Sequence, residues 1–431
     1  MKVSKLLEMM FEHDRWQELL DKATEKEIDT KTIKELCYPE KRQELFAMIY
    51  EDRYNIFPPH IGLVEKDTPG EFREVYINEP RDRIVLTLIN DCLSRMFHDM
   101  IHPQCRSYQR GLSSQKTVKD ISNEIVRLSK IKNGRIGWKA DFSKYFDNVK
   151  IDVIDGVFDI IEKRLGFDKG TEQVINLLRR YYHQDLYFDI DGNLQNRYQG
   201  LKQGCSVASW LANVCLYELD NYLSRKYKIY FRYSDDFVVI DEHTDNVVDE
   251  TNAIIQKYGV SLNPKKVEPI YANKFVKFLG FNIKGDQITL SRNRVKRFQK
   301  EIDKRTIDIK KKHKNYTSKQ ARKAVIKYLY EGEYSWSSAC LGTINVEKDL
   351  QELNKYIMDA IRACDTGKLK IGGLGSVQNL EDRTILRGKG KNVRANREKT
   401  GHIENYLSVK CLSNNLKMSP VVFEVTVRNM K

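Results

Sequence analysis

Two adjacent carboxylates, Asp235 and Asp236, lie between short apolar runs in "FRYSDDFVVI" (231–240). Val, Ile, Phe and Tyr on both sides favour strands, and Ser-Asp is turn chemistry, so the stretch reads as a β-hairpin with two acids at its tip. Like charges held side by side repel. A solvated turn is the bland explanation. A shared divalent metal is the chemical one, and it needs a third acid from elsewhere. "GRIGWKADFSKYFDNV" (134–149) supplies it. Ile136, Trp138 and Ala140 alternate on one strand face, with Lys139 and Asp141 on the other. Asp141 then sits near the C-terminal end of a central strand, beside Tyr145 and Phe146. Its competing role is to start the next helix. Between these two blocks, "GLKQGCSVASWLANVCLYELD" (200–220) is a glycine-flanked turn running into a helix. Ser206 suits the N-cap, and Leu211, Val214, Cys215 and Leu219 form a buried stripe. Gly204 permits close approach of backbone to a ligand, and helix N-terminal amides favour anions or polar ligands. An ordinary loop before a core helix fits the same residues.

The elements that must position these blocks follow from periodicity. Residues 1–50 alternate apolar and charged positions at helical spacing, and "NIFPPHIG" and "EKDTPGEF" interrupt the pattern with Pro and Gly. "REVYINEPRDRIVLTLINDCLSRMF" reads as a strand leading into an amphipathic helix. From about 134 to 284 strand and helix patterns alternate, an α+β unit. Ile154, Val157, Phe158, Ile161 and Leu165 predict a helix after Asp141, with Gly166 as its C-cap. From 291 onward the pattern is helical and very basic, with Val295, Phe298, Ile302 and Ile309 on one stripe. The tail from 366 carries more glycine and the basic segment "RTILRGKGKNVRANREK".

Composition bounds the function. The chain has 431 residues, 41% hydrophobic, enough for a large core in two or three subdomains. Lys and Arg outnumber Asp and Glu by 74 to 60, a net charge of +14 that suits a polyanion such as nucleic acid. No apolar run approaches a membrane span, and the charged N-terminus does not read as a signal peptide. The eight cysteines are scattered without a CxxC, so they suggest neither zinc nor disulfides but reduced thiols in a cytoplasm.

The three blocks in this order resemble the palm of reverse transcriptases: "DFSKYFD" the first motif, "GLKQG…S…LAN" the second and "YSDD" the third. The tyrosine before the acids favours this family over viral RNA-copying polymerases. "SLNPKKVE" (261–268) resembles its lysine-bearing motif and "FVKFLGFNI" (275–283) its primer-grip strand. "REVYINEPRDRIV" and "SYQRGLSSQK" resemble the fingers of bacterial group-II-intron-like enzymes. The resemblance covers roughly residues 60–290. It implies a right-hand polymerase, α+β, with a ferredoxin-like palm. The expected divisions are a helical N-terminal extension (1–60), fingers (61–133), palm (134–290), helical thumb (291–365) and a basic C-terminal region (366–431).

The activity implied is RNA-directed DNA synthesis with dNTPs, an RNA template and a DNA product. Two Mg²⁺, or Mn²⁺ in their place, would be held by Asp141 and Asp235, with Asp236 adding charge or a weaker ligand and Phe142 beside them. Lys266 matches the lysine that protonates pyrophosphate, although Lys265 is adjacent. Arg73 and Arg110 match fingers cations for the triphosphate, and amides near Phe142 and Ser143 match its backbone cradle. Phe146 matches the aromatic that excludes a 2′-hydroxyl. Gln203 and Gly204 would line the incoming sugar and template base. The chain is short for a maturase with an endonuclease, so a stand-alone enzyme is expected. It is most similar to defence-associated ("unknown group") bacterial reverse transcriptases, which copy a partner non-coding RNA. A retron enzyme, an untemplated or protein-primed polymerase of the abortive-infection type, and a non-enzymatic RNA-binding protein are the competing readings.

Overall fold

The computed structural model describes residues 6–26, 30–66, 70–109, 111–131, 134–196, 200–331 and 335–366. Arg110 and the basic region 366–431, including the cluster at Arg387, Lys389, Lys391 and Arg394, therefore lie outside the described residues, apart from the backbone of residue 366. The chain divides into two units. One comprises Met1–Ser113 and Arg135–Ile270, and the other Ser114–Gly134 and Tyr271–Lys431. The boundary at Ser113 cuts through the stretch 61–133, and the helix Ser114–Ser129 groups with the C-terminal part of the chain.

In the first unit, the strands are β1 (His60–Glu65), β2 (Phe72–Ile77), β3 (Arg135–Asp141), β4 (Leu186–Phe188), β5 (Leu194–Asn196), β6 (Ile229–Tyr233), β7 (Asp236–Ile240) and β8 (Glu268–Tyr271), the last ending at the unit boundary. They form two four-stranded sheets, ordered β6-β7-β3-β8 and β2-β1-β4-β5. In the first sheet Phe237, Val238, Val239 and Ile240 have no exposed surface. Four consecutive buried residues mean that both faces of β7 are covered, which explains why this strand shows no polar alternation. The second sheet behaves differently. Leu63, Val64 and Phe72 are about half exposed although strand-forming.

Helices close the core around the acid-bearing sheet. Ile151–Leu165 buries Ile154, Val157, Phe158 and Ile161 and ends at Gly166 (φ 69°), as the periodicity predicts. Pro80–Met96 follows β2, also as predicted. The block after Gly204 differs in two respects. Ser206 is the first residue of the helix Ser206–Val214, and Cys205 holds the N-cap position without a side-chain cap. With helical backbone already at Ser206, its hydroxyl cannot reach the first amides. It instead shares a 2.9 Å hydrogen bond with Thr87 of the helix Pro80–Met96. The helix also stops at Val214 and a second begins at Tyr217, although Leu211, Val214, Cys215 and Leu219 are all buried.

The second unit holds an antiparallel sheet of β9 (Val276–Phe278), β10 (Phe281–Lys284) and β11 (Gln287–Leu290), ordered β11-β10-β9. The helix Ser114–Ser129 is tied to it where Ser122 Oγ donates to the Gly285 carbonyl at 2.7 Å. Among the described residues the α-helices Arg292–Arg305, Ile307–Lys312, Ser318–Tyr330 and Glu347–Thr366 follow, with a π-helical turn at Ser337–Leu341. The single stripe expected through Ile309 is split at Thr306 (φ −128°, ψ −90°), and only Phe298 and Ile302 of the four residues are fully buried.

Candidate active site

The hairpin at 231–240 forms as the sequence predicts. Tyr233 pairs with Asp236, leaving Ser234 and Asp235 as the two-residue turn. Ser234 takes φ 59°, the left-handed region that tight hairpin turns require and serine rarely adopts. On the other side β7 pairs with β3, and there Asp141 stands directly opposite Asp236. Facing residues of neighbouring strands share a face, so one register places the end of β3 and the start of β7 together, with Asp235 at the adjoining turn. The Phe142 amide donates to the Asp235 carbonyl at 3.1 Å and closes the arrangement.

"SLNPKKVE" zips onto the same strand end. The Ser143 amide donates to the Ser261 carbonyl and the Asn263 amide to the Asp141 carbonyl, both at 2.8 Å. Asn263 caps the 3₁₀ turn Pro264–Lys266, and Lys266 Nζ lies 2.9 Å from Asp141 Oδ2. Of the two adjacent lysines, Lys266 is the one in contact with Asp141. These bonds correct one expectation. The amides of Phe142 and Ser143 already serve backbone carbonyls, so they are not a free cradle for a triphosphate. The Phe142 ring is buried, which leaves only its main chain to face a metal.

Burial and mutual repulsion govern the electrostatics. Burial, followed by the Asp141 charge, pushes the Asp235 carboxyl above its ordinary range, and Lys266 and Arg73 draw it back in part. Burial also raises Asp236 to about 7; Lys139 opposes this, while Asp235 and Asp141 add to it. Burial depresses Lys266, but its hydrogen bond to Asp141 and the three negative charges lift it above its ordinary value overall. Among the described residues no three His, Cys, Asp or Glu side chains stand gathered as a metal cage. The donor set nevertheless suits hard cations: three carboxylates, two of them raised by repulsion and burial, with an ammonium against Asp141 where a metal ion would neutralise the same oxygen.

Arg73, Gln203, Gly204 and Phe146 belong to the same unit as the acids. Arg73 on β2 is exposed, and its charge is felt at Asp235. Gln203 and Gly204 dock on β2: the Tyr76 amide donates to the Gln203 carbonyl at 2.7 Å. Gly204 has φ 110°, and a Cβ there would stand 2.6 Å from the Tyr76 carbonyl oxygen, so only glycine fits. Phe146 is half-buried, with its ring against Tyr145. Its carbonyl accepts from the Leu201 amide at 2.6 Å, so the first and second blocks are joined through main chain.

Two buried cations escaped the sequence reading. Lys202 is 1% exposed at φ 51°, and its Nζ donates to the carbonyls of Tyr181 and, at 2.6 Å, Gln184. Burial lowers it to about 8. It anchors the turn bearing Gln203. Arg232, inside "FRYSDD", is fully buried against Asp220. Strand parity was the available signal. Arg232 pairs with Phe237 and so faces the core, where an arginine must have partners.

The family model described as reverse transcriptase (RNA-dependent DNA polymerase) matches residues 64–283, just over half of the 431-residue chain. A stretch of 164 residues is 26% identical to the putative COX1/OXI3 intron 1 protein of Saccharomyces cerevisiae. That match covers 37% of this chain and 18% of the yeast protein, so the chain spans under a fifth of that relative. No helix among the described residues is long and apolar enough to cross a membrane.

Proposed function

The chain belongs to the reverse transcriptase family, and we propose that it joins deoxynucleotides to a primer on an RNA template. One observation carries the reading: Asp141 opposite Asp236, with Asp235 in the adjoining turn and Lys266 on Asp141. Asp141, Asp235 and Asp236 would hold two Mg²⁺, or Mn²⁺, with the Phe142 main chain beside them. Such cations, when bound, acidify a primer 3′-hydroxyl and neutralise the leaving pyrophosphate. The 3′-oxygen, its proton passed to solvent water, then bonds to the α-phosphorus as the bond to the β-phosphate oxygen breaks. Lys266, released from Asp141 and about half exposed, supplies the proton that pyrophosphate takes up. Arg73 meets triphosphate charge, Phe146 blocks a 2′-hydroxyl, and Gln203 with Gly204 lines the sugar and template base.

The right-hand division into fingers, palm and thumb belongs to this proposal, as does phosphate gripping by the basic helices after Ser291. The finer reading is a bacterial, cytoplasmic, defence-associated enzyme that copies a structured non-coding RNA. The motif order supports the reverse transcriptase core of this reading, and the resemblance of the fingers segments to bacterial enzymes is what favours the finer part. The test uses the purified chain with a DNA primer on a heteropolymeric RNA, dNTPs and Mg²⁺. Extension that EDTA stops, with product complementary to the RNA, is expected. Product unrelated to the RNA would favour the untemplated reading. No product with any primer would favour an RNA-binding protein.

A further inference from the structure

Behind the acid turn lies a buried polar cluster that the chemistry above does not use. Arg232 and Asp220 have no exposed side-chain surface and meet through two bonds, Nε to Oδ1 at 2.7 Å and Nη2 to Oδ2 at 2.6 Å. The remaining guanidinium donors go to main-chain carbonyls. Nη1 reaches Ser234 at 3.1 Å and Ala212 at 3.3 Å, and Nη2 reaches Asn213 at 2.9 Å. The Ser234 amide is held as well, donating to Ser107 Oγ at 2.9 Å. Ser107 Oγ in turn donates to Asn213 Oδ1, and Asn213 Nδ2 donates to the Ser107 carbonyl, both at 2.8 Å. Both polar main-chain groups of the residue before Asp235 are thus gripped, at a left-handed φ of 59° that serine does not favour.

Stability alone explains this poorly. A buried ion pair replaced by apolar groups is often no less stable, whereas a planar fork saturated with acceptors fixes orientation. The carbonyls it collects belong to the end of the helix Ser206–Val214 and to the acid turn, so it locks the second block to the third. We infer that Arg232, with Asp220 and Ser107, is a positioning residue: it holds the strained Ser234–Asp235 turn so that Asp235 and Asp236 present their carboxylates together to divalent cations. This rests on the metal-dependent reading proposed above.

The test is Arg232→Met/Asp220→Asn, which removes both charges at once and leaves Tyr230, whose hydroxyl bonds Asp220 Oδ1 at 2.6 Å, an amide oxygen to meet. Mn²⁺ binding to the purified chain without nucleic acid is followed by the EPR signal of free Mn²⁺, alongside the unfolding midpoint and the Mg²⁺ dependence of primer extension. Asp235→Ala defines the Mn²⁺ bound at the acids. A folded double variant should bind that Mn²⁺ at least about 10-fold more weakly, the usual size of an outer-shell loss. Its extension should need correspondingly more Mg²⁺. Ser107→Ala should move both readouts the same way by less. Unchanged Mn²⁺ affinity in the folded variant overturns the inference. If the double variant does not fold, Arg232→Lys, which keeps the charge but loses the fork, and Ser107→Ala decide by the same criterion. Wild type that binds Mn²⁺ at the acids but extends no primer removes the polymerase reading and leaves the positioning role to be judged on Mn²⁺ alone. Wild type with no Mn²⁺ sensitive to Asp235→Ala overturns both.

Discussion

Asp141–Lys266 and Asp220–Arg232 are both carboxylate–cation pairs in the same unit, yet they are built for opposite purposes. Arg232 is wholly buried, and each of its five N–H groups has a carboxylate or carbonyl acceptor. Lys266 is about half exposed and reaches Asp141 through a single 2.9 Å contact. A compact ammonium on a flexible stem can leave and a saturated fork cannot. The first pair neutralises an acid until something else does. The second grips the Ser234 carbonyl in the turn that carries Asp235 and leads into Asp236. Under the proposed function, exchange of cations and nucleotides would need both: a rigid back and a replaceable front.

The contrast is broken most forcefully through stability. Arg232→Met strands the buried Asp220 carboxylate and should cost about 3–5 kcal/mol. Lys266→Met should cost less than about 1 kcal/mol, because its pair is solvent-screened. Denaturant midpoints of the two variants check this, and equal losses would erase the distinction. Sugar choice probes the front of the site next. Phe146→Ala should lower discrimination against ribonucleotides by roughly 10–100-fold, the range for one steric contact. The joint with Leu201 uses only the Phe146 carbonyl, so folding should survive. Unaltered ratios of kcat/KM for the two sugars would return Phe146 to a packing role.

The smallest effect is in pH. Without divalent ions, the folded chain keeps protons on Asp235 and Asp236 at pH values where the unfolded chain has lost them. Stability from these groups is therefore present below the ordinary carboxylate range and lost as pH rises toward about 7. In EDTA, the Tm of wild type should fall relative to Asp236→Asn between about pH 5 and pH 8, by a few degrees. Mg²⁺ should restore it mainly at the higher pH. Parallel pH profiles for the two proteins would contradict the raised Asp236.

What the sequence revealed and what it hid divide along the same line. The hairpin, β3 and the helix Ile151–Leu165 were legible because strand-forming composition, residue periodicity and turn chemistry are local signals. Ser206 was misplaced by one residue, since the helix start depends on how the Gly204 turn packs against Tyr76. Arg232 was passed over although it stands within the most informative stretch. Its partners, Asp220, Asn213 and Ser107, come from distant segments that only folding brings together. The amides of Phe142 and Ser143 looked available for the same reason: the carbonyls they meet, on Asp235 and Ser261, are contributed from far along the chain.

Dependence of nucleotide addition on the paired acids is most directly measured with purified, folded Asp235→Ala on an RNA template with a DNA primer and dNTPs in Mg²⁺. Loss of a metal ligand worth several kcal/mol of transition-state stabilisation should reduce incorporation by at least about 10³-fold while leaving the unfolding midpoint near or above that of wild type. A folded variant that extends primers at close to the wild-type rate would contradict the assignment of Asp141, Asp235 and Asp236 as one metal-holding site.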